Sequence, residues 1–233
     1  MSKQKIAIIV AGGKGERMNA TIPKQFIEIS GKPIVMHTIE AFLKYDKNIE
    51  IILVIPSIEI ELWESLCKKH AFFHQITIVT GGLTRFYSVK NGLDTIAGNA
   101  LVAVHDGVRP FASIGTISRS FDEAEKSGAA IPVVDFEDSI RQLTPNGSKA
   151  VERTAYKLVQ TPQVFDAELL RKAYQQTYST FFTDDASVVE GINKNVSLVE
   201  GNKNNIKITT EIDLLVAEAL LQKECLDSQN ICK

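Results

Sequence analysis

Short runs rich in Ile and Val alternate with helix-spaced apolar residues through the first 135 positions, and that alternation leaves few folds open. Residues 6–10, 51–55, 76–79, 101–104 and 129–134 are short, apolar and bounded by Gly, Pro or Asp, the pattern of strands buried on both faces. Between them, 35–43, 58–69, 85–95 and 114–126 repeat apolar residues at helical spacing. The pattern predicts a Rossmann-like, doubly wound α/β fold: a mostly parallel sheet with helices on both faces. Ligands of such sheets bind beyond the carboxyl ends of the strands. The 233 residues suit one domain, 1–233, with a sizeable core.

The alternation breaks at 135. Residues 135–157 are polar and carry a turn signal, Thr144-Pro145-Asn146-Gly147. Segments 139–143 and 149–153 can pair around it as a protruding β-arm. A hairpin with few contacts of its own either finds a partner surface or stays a solvated ribbon. The wound pattern resumes with a helix over 167–178, a short helix from Asp185, strands over 196–199 and 206–208, and a helix over roughly 211–223. The last residues, 227–233, are expected to fray.

Bulk properties exclude several classes. A net charge of −2 gives no basic nucleic-acid surface, so a cationic site must be local. Cys67, Cys225 and Cys232 are far apart, which fits free thiols in a reducing compartment. The polar start runs directly into a short strand, with no signal peptide and no long apolar span. The expectation is a cytoplasmic protein that does not engage membranes.

The first strand runs into Ala11-Gly12-Gly13-Lys14-Gly15-Glu16-Arg17-Met18. Three glycines in four positions allow a tight turn that points several N–H groups at one anion. Neither a Walker A string nor the dinucleotide fingerprint fits, since Met18 stands where the latter needs Gly. Glycines alone are as compatible with a plain turn. Arg17 and Lys24, the latter in Pro23-Lys24-Gln25, change the balance: two cations beside such a loop can hold a triphosphate.

These strings together resemble the signature of sugar-phosphate nucleotidyltransferases and, more narrowly, the 2-C-methyl-D-erythritol 4-phosphate cytidylyltransferases. The resemblance runs roughly from Ile6 to Leu221. It implies transfer of CMP from CTP to the phosphate of a small polyol, with release of pyrophosphate. Ala11, Gly12, Gly13 and Gly15 would wrap the CTP phosphates, and Arg17 and Lys24 would stabilise the pentavalent phosphorus.

Three further strings extend the site. Gly81-Gly82-Leu83-Thr84-Arg85-Phe86-Tyr87-Ser88 leads from a strand into a helix. It reads locally as a loop capped by Thr84; the resemblance makes Gly81, Gly82, Arg85 and Ser88 nucleotide-binding residues that recognise the cytosine ring. Val104-His105-Asp106-Gly107-Val108-Arg109-Pro110 ends a strand in a carboxylate, where a hard cation bridging phosphates finds oxygen. Asp106 is therefore the candidate Mg²⁺ ligand, with Arg109 able to hold a phosphate bidentately. The bland readings are a helix cap and a surface ion pair. The string resembles the family's HDAARP, with Gly107-Val108 in place of two alanines. His105 reads as scaffold. In Asn205-Ile206-Lys207-Ile208-Thr209, similar to the family's NIKVT, a lysine between two isoleucines is costly unless an anion meets it. Lys207 is thus a candidate catalytic phosphate ligand. Asn204 stands where many relatives carry Asp near the metal.

The resemblance also implies that the arm hooks over a second protomer in a homodimer. Ser139, in place of a threonine, and Arg153 would there join Asp106 and Arg109 in binding the acceptor. Thr161-Pro162-Gln163-Val164-Phe165 and Thr183-Asp184-Asp185-Ala186-Ser187 match further family strings, the second reading locally as a helix start. Two rivals stand beside this reading: a ribitol 5-phosphate cytidylyltransferase, and a non-catalytic nucleotide-binding regulatory domain.

Overall fold

The computed structural model describes residues 3–13 and 22–231, with side chains through position 226. In chain order the strands are β1 (Gln4–Val10), β2 (Glu28–Ile29), β3 (Lys32–Pro33), β4 (Glu50–Ile55), β5 (Ile76–Thr80), β6 (Ala100–Asp106), β7 (Ala129–Val134), β8 (Arg141–Thr144), β9 (Gly147–Ala150), β10 (Leu158–Val159), β11 (Gln163–Asp166) and β12 (Ser197–Glu200). The helices are α1 (Ile34–Tyr45), α2 (Ile60–Lys69), α3 (Arg85–Leu93), α4 (Ile114–Ser127), α5 (Ala167–Ala173), α6 (Asp185–Glu190) and α7 (Glu211–Ile231).

Eight strands form one sheet, in the order β10-β7-β11-β6-β1-β4-β5, with β12 also on β7. β1, β4, β5 and β6 run parallel, as do β7 and β12, while β10 and β11 run antiparallel to their neighbours. Period-two alternation explains why these strands read as continuously apolar. Ile6 and Ile8 of β1 pack with Phe86 and Val89 of α3 and Leu170 of α5 on one face. Ala7 and Ile9 pack with Phe42 of α1, Trp63 of α2 and Phe121 of α4 on the other. Each fully buried side chain of this size contributes roughly 1.5–3 kcal/mol, so both faces stabilise the sheet. A third cluster (Ile29, Ile34, Val108, Phe111, Ile208 and Ala217) docks α7 beside the β2–β3 ribbon.

The expected doubly wound α/β fold is the one observed, with corrections of detail. No strand forms over 206–208. There the Asn205 and Ile206 N–H groups donate to the nearby Asn202 and Asn204 carbonyls and Ile208 N–H to the distant Val108 carbonyl, so local turns and one long-range bond take the place of a ladder. α5 stops at Ala173, five residues short of 178, because Tyr174 turns inward and its hydroxyl meets Asp185. The helix expected over 211–223 continues to Ile231, through positions expected to fray. The hairpin turn is tighter than expected, with Thr144 paired to Gly147 across Pro145 and Asn146, and its strands stop at Arg141 and Ala150, short of the expected outer ends. Ser139 falls outside its strands, and Arg153 lies in a single 3-10 turn. β11 was not anticipated as a strand; its four residues follow Thr161-Pro162 and are too few to show a period. No helix among the described residues is long and apolar enough to cross a membrane.

Candidate active site

Register brings four strand ends to one level. Val10 is paired with both Val54 and Asp106, and Ile55 with Thr80. The loops beyond them are zipped by backbone bonds: Ala11 N–H to Val54 O (2.9 Å), Gly81 N–H to Ile55 O (2.8 Å) and Gly107 N–H to Val10 O (2.8 Å). The close approach explains one departure from HDAARP. A Cβ at Gly107 would lie 2.8 Å from the Ala11 Cβ, while Val108 fills the cluster beneath α7.

Lys24 reaches the glycine loop. A Cβ at Gly13 would lie 3.2 Å from Lys24 Cε, so the lysine side chain lies along the Gly13 backbone. The turn carrying it, Lys24–Phe26, is anchored on both sides. Buried Gln25 donates to Glu59 Oε2 at 2.7 Å, and Phe26 packs on Trp63. Gly15 and Arg17 lie outside the described residues.

The Gly81–Ser88 loop is held from inside. Gly82 N–H donates to Ser88 Oγ (3.0 Å), whose hydroxyl donates to the Thr84 carbonyl (3.0 Å). Thr84 caps α3, as expected. Gly82 has no room for a side chain, since a Cβ there would sit 2.4 Å from the Tyr87 Cβ. Glycine is required here by close approach, not by backbone angle.

Four charged residues from three segments converge beyond β6, Asp106 and Arg109 both belonging to the strand's own end. Asp106 Oδ2 meets Lys207 Nζ at 3.0 Å and Arg109 Nε at 3.3 Å, and its Oδ1 meets Arg85 Nε at 3.5 Å. Burial alone would raise the pKa of the Asp106 carboxyl, but Arg85, Lys207 and Arg109 outweigh it and hold the group below the usual carboxylate range. Asp106 is therefore a fixed anion. Lys207 is satisfied by this carboxylate, and its side chain stays 43 % exposed toward solvent. Arg109 also donates to the Asn205 carbonyl at 2.8 Å, tying the 205–207 segment to the end of β6. Arg85 is more committed than expected of a nucleotide ligand: both its terminal nitrogens grip Asp185, at 2.9 and 2.7 Å.

Behind this cluster His105 is scaffold. Its Nε2 lies 3.0 Å from the Arg109 carbonyl, which can only accept, so that nitrogen carries the proton. Nδ1 then accepts from the Thr161 hydroxyl at 3.0 Å, and Thr161 Oγ1 in turn accepts from the Asp106 N–H. Gln163 bridges onward, donating to Asp184 and accepting from Ala186 N–H.

The arm residues are not brought to this cluster by their own chain. Arg153 donates to the Glu137 carbonyl at 2.6 Å, and among the described residues no contact links it or Ser139 to Asp106. Asn204 is exposed and lines a separate cavity of about 270 Å³ with His37, Lys44, Phe111 and Asn202. Among the described residues no group of three or more His, Cys, Asp or Glu side chains could cage a metal ion. Asp185, Thr161 and Gln163 were missed as site-building residues. The doubled acid of Asp184-Asp185 was a usable signal, because a helix cap accounts for only one of the two.

The family model described as 2-C-methyl-D-erythritol 4-phosphate cytidylyltransferase matches residues 5–223. A protein of that name from Bacteroides fragilis is 55 % identical over 215 residues, covering 92 % of this chain and 98 % of its own length. The crystal structure of 4-diphosphocytidyl-2C-methyl-D-erythritol synthase from Anaerococcus prevotii superposes with a TM-score of 0.81 at 30 % identity, covering 94 % of this chain and 96 % of that one. The 2-C-methyl-D-erythritol 4-phosphate cytidylyltransferase of Thermus thermophilus gives 0.73 at 30 % identity, over 95 % and 100 %.

Proposed function

This chain belongs to the 2-C-methyl-D-erythritol 4-phosphate cytidylyltransferase family, and from that premise we propose how its strand-end site works. The enzyme transfers CMP from CTP to 2-C-methyl-D-erythritol 4-phosphate, giving 4-diphosphocytidyl-2-C-methyl-D-erythritol and pyrophosphate for the non-mevalonate route to isoprenoids. The observation that carries the mechanism is the convergence of Arg85, Arg109 and Lys207 on Asp106 at the strand ends.

An oxygen of the acceptor phosphate attacks the α-phosphorus of CTP in line. One P–O bond forms there as the bond to the β-phosphate oxygen breaks, and pyrophosphate leaves with its electron pair. The acceptor phosphate is already an anion at neutral pH, so the step needs neither a general base nor a covalent intermediate. Catalysis is positioning plus stabilisation of developing charge. The N–H groups of Gly12, Gly13 and Gly15 hold the triphosphate, while that of Ala11 stays bonded to the Val54 carbonyl and anchors the start of the loop. Lys24, lying along Gly13, and Arg17 stabilise the reacting phosphorus. Gly81, Gly82 and Ser88 place the base. Lys207 and Arg109, fixed by Asp106, present positive charge to the acceptor phosphate.

Both Asp106 oxygens already face cations, so the carboxylate would take Mg²⁺ only in exchange for one of these ion pairs, which suits an ion arriving with the CTP phosphates better than a resident one. A single carboxylate completed by phosphate oxygens and water suits this metal, whereas a protein cage would need more ligands than the described residues offer. When bound, the ion offsets charge on the phosphates. Ser139 and Arg153 reach the acceptor in a partner's site across a homodimer, supported by the fully exposed arm. Dependence on CTP supports a cytoplasmic enzyme.

Asp106→Asn tests this account. Turnover should fall roughly 10³-fold or more while circular dichroism stays native, because the substitution is isosteric and lies at a strand end. Near-normal turnover without added Mg²⁺ would reduce Asp106 to an ion-pair partner of Lys207 and Arg109.

A further inference from the structure

Asp185 has no role in the mechanism above, yet its side chain is wholly buried, at 0 % exposure. Capping does not explain it, since Asp184 already caps α6 and exchanges bonds with Ser187. Nor does stability, because a buried ion pair is often no better than a well-packed apolar pair of similar volume. What the carboxylate does is grip Arg85: Nη1 to Oδ1 at 2.9 Å and Nη2 to Oδ2 at 2.7 Å, with the Tyr174 hydroxyl donating to Oδ1 at 2.6 Å. Only the Nε edge of Arg85 is left for Asp106, at 3.5 Å. Arg85 opens α3 within the Gly81–Ser88 segment, so the guanidinium is a strut between that loop, α6 and the end of β6.

We propose that Asp185 is a positioning residue for CMP transfer: by holding both terminal nitrogens of Arg85 it keeps that fork from closing on Asp106 and fixes the base-side loop relative to the phosphate-side carboxylate. The inference rests on the reading that Asp106 serves the reaction. Without the Asp185 charge, the strongest anion within reach of the fork is Asp106. A bidentate pair there would draw the carboxylate away from Lys207 and Arg109. The acceptor phosphate would then meet a rearranged cation pair, and misplacement on this scale costs up to about 10²-fold in rate.

The test is a double-mutant cycle on kcat/KM for the acceptor, using Asp185→Asn, Arg85→Gln and the pair, with Tyr174→Phe alongside. Asp185→Asn should lose roughly 10–10²-fold, and the double variant should be no worse than Arg85→Gln alone, since Asp185 acts only through Arg85. Tyr174→Phe removes a hydrogen bond from the same carboxylate but no charge, and should stay within about threefold of wild type. Additive losses, or an Asp185→Asn variant with lowered thermal stability and unchanged kinetics, would overturn the proposal. So would a Tyr174→Phe loss equal to that of Asp185→Asn. If Asp185→Asn does not fold, the double variant, which buries no lone charge, is compared with Arg85→Gln. Equal kinetics support the proposal and a further loss beyond about threefold overturns it. Asp106→Asn in the same assay separates the two readings: if it stays active the catalytic reading fails, and if it alone is inactive only the role of Asp185 falls.

Discussion

Among single residues, His105 shows how much of this site is scaffold. Burial holds its imidazole down to about 4, from an ordinary value near 6.5, despite the hydrogen bond to the Arg109 carbonyl. Between those two values the unfolded chain binds a proton that the folded chain refuses. Stability is therefore full above pH 6.5 and falls as the solution is acidified toward pH 4, by at most about 3 kcal/mol from this residue. Half-buried His37 is depressed for the same reason and adds to the slope with the same sign. His105→Gln should flatten the dependence of the urea midpoint on pH across this window, leaving the part due to His37. An unchanged slope would contradict the buried neutral ring. The scaffold role was legible, because a lone histidine at a strand end seldom has other work. The partner of Lys207 was half legible: a lysine flanked by two buried-type residues needs an anion, but sequence could not tell a substrate phosphate from Asp106, about a hundred positions earlier. Asp185 was half legible: a helix cap explains one acid of Asp184-Asp185, but nothing in one dimension ties the second to Arg85, 100 positions earlier.

Elements built from continuous apolar runs were the easiest to read. β7 has the bounds expected for it, and β1, β4 and β5 differ by one or two residues. Burial on both faces makes β1 and β4 nearly unbroken apolar runs, while β5, at the sheet edge, is only partly buried. β11 and the 205–208 segment were not legible, since their backbone bonds depend on distant partners: β6 and β7 in one case, Val108 in the other. The Gly81–Ser88 loop was found from its glycines, but the reason for them is steric and three-dimensional. Gly82→Ala would push a methyl into Tyr87, at 2.4 Å from its Cβ and 2.9 Å from its carbonyl carbon. Backbone must shift, so a stability loss of about 1–3 kcal/mol is expected, together with a raised KM for CTP. A variant matching wild type in thermal midpoint and in KM for CTP would show that the loop neither packs as described nor touches the nucleotide.

At the scale of the molecule, the parallel half of the sheet makes a site from four strand ends, and the arm leaves that body altogether. Every residue of β8 and β9 is exposed, with Leu143 at 84 %, and Tyr156, Leu158 and Val159 continue an apolar surface at the arm's root. Such a surface suits a second copy of the chain, and sequence alone could flag the excursion but not its direction. If Arg153 serves the partner's site while Lys24 serves its own, co-refolding inactive Lys24→Ala with inactive Arg153→Ala should restore roughly a quarter of all sites, since half the dimers are mixed and each holds one intact site. Dimers that stay inactive on mixing would confine Arg153 to its own chain. The acceptor remains the most direct test of the whole account. Pyrophosphate release should be measured with CTP and either 2-C-methyl-D-erythritol 4-phosphate or ribitol 5-phosphate, each over a range of concentrations. The account predicts CTP-dependent release with the methylerythritol phosphate, and a kcat/KM at least about tenfold above that for the ribitol phosphate, the step given by one favourable contact of about 1.4 kcal/mol. Equal or faster turnover of ribitol 5-phosphate, or no release from CTP with the methylerythritol phosphate, would contradict it.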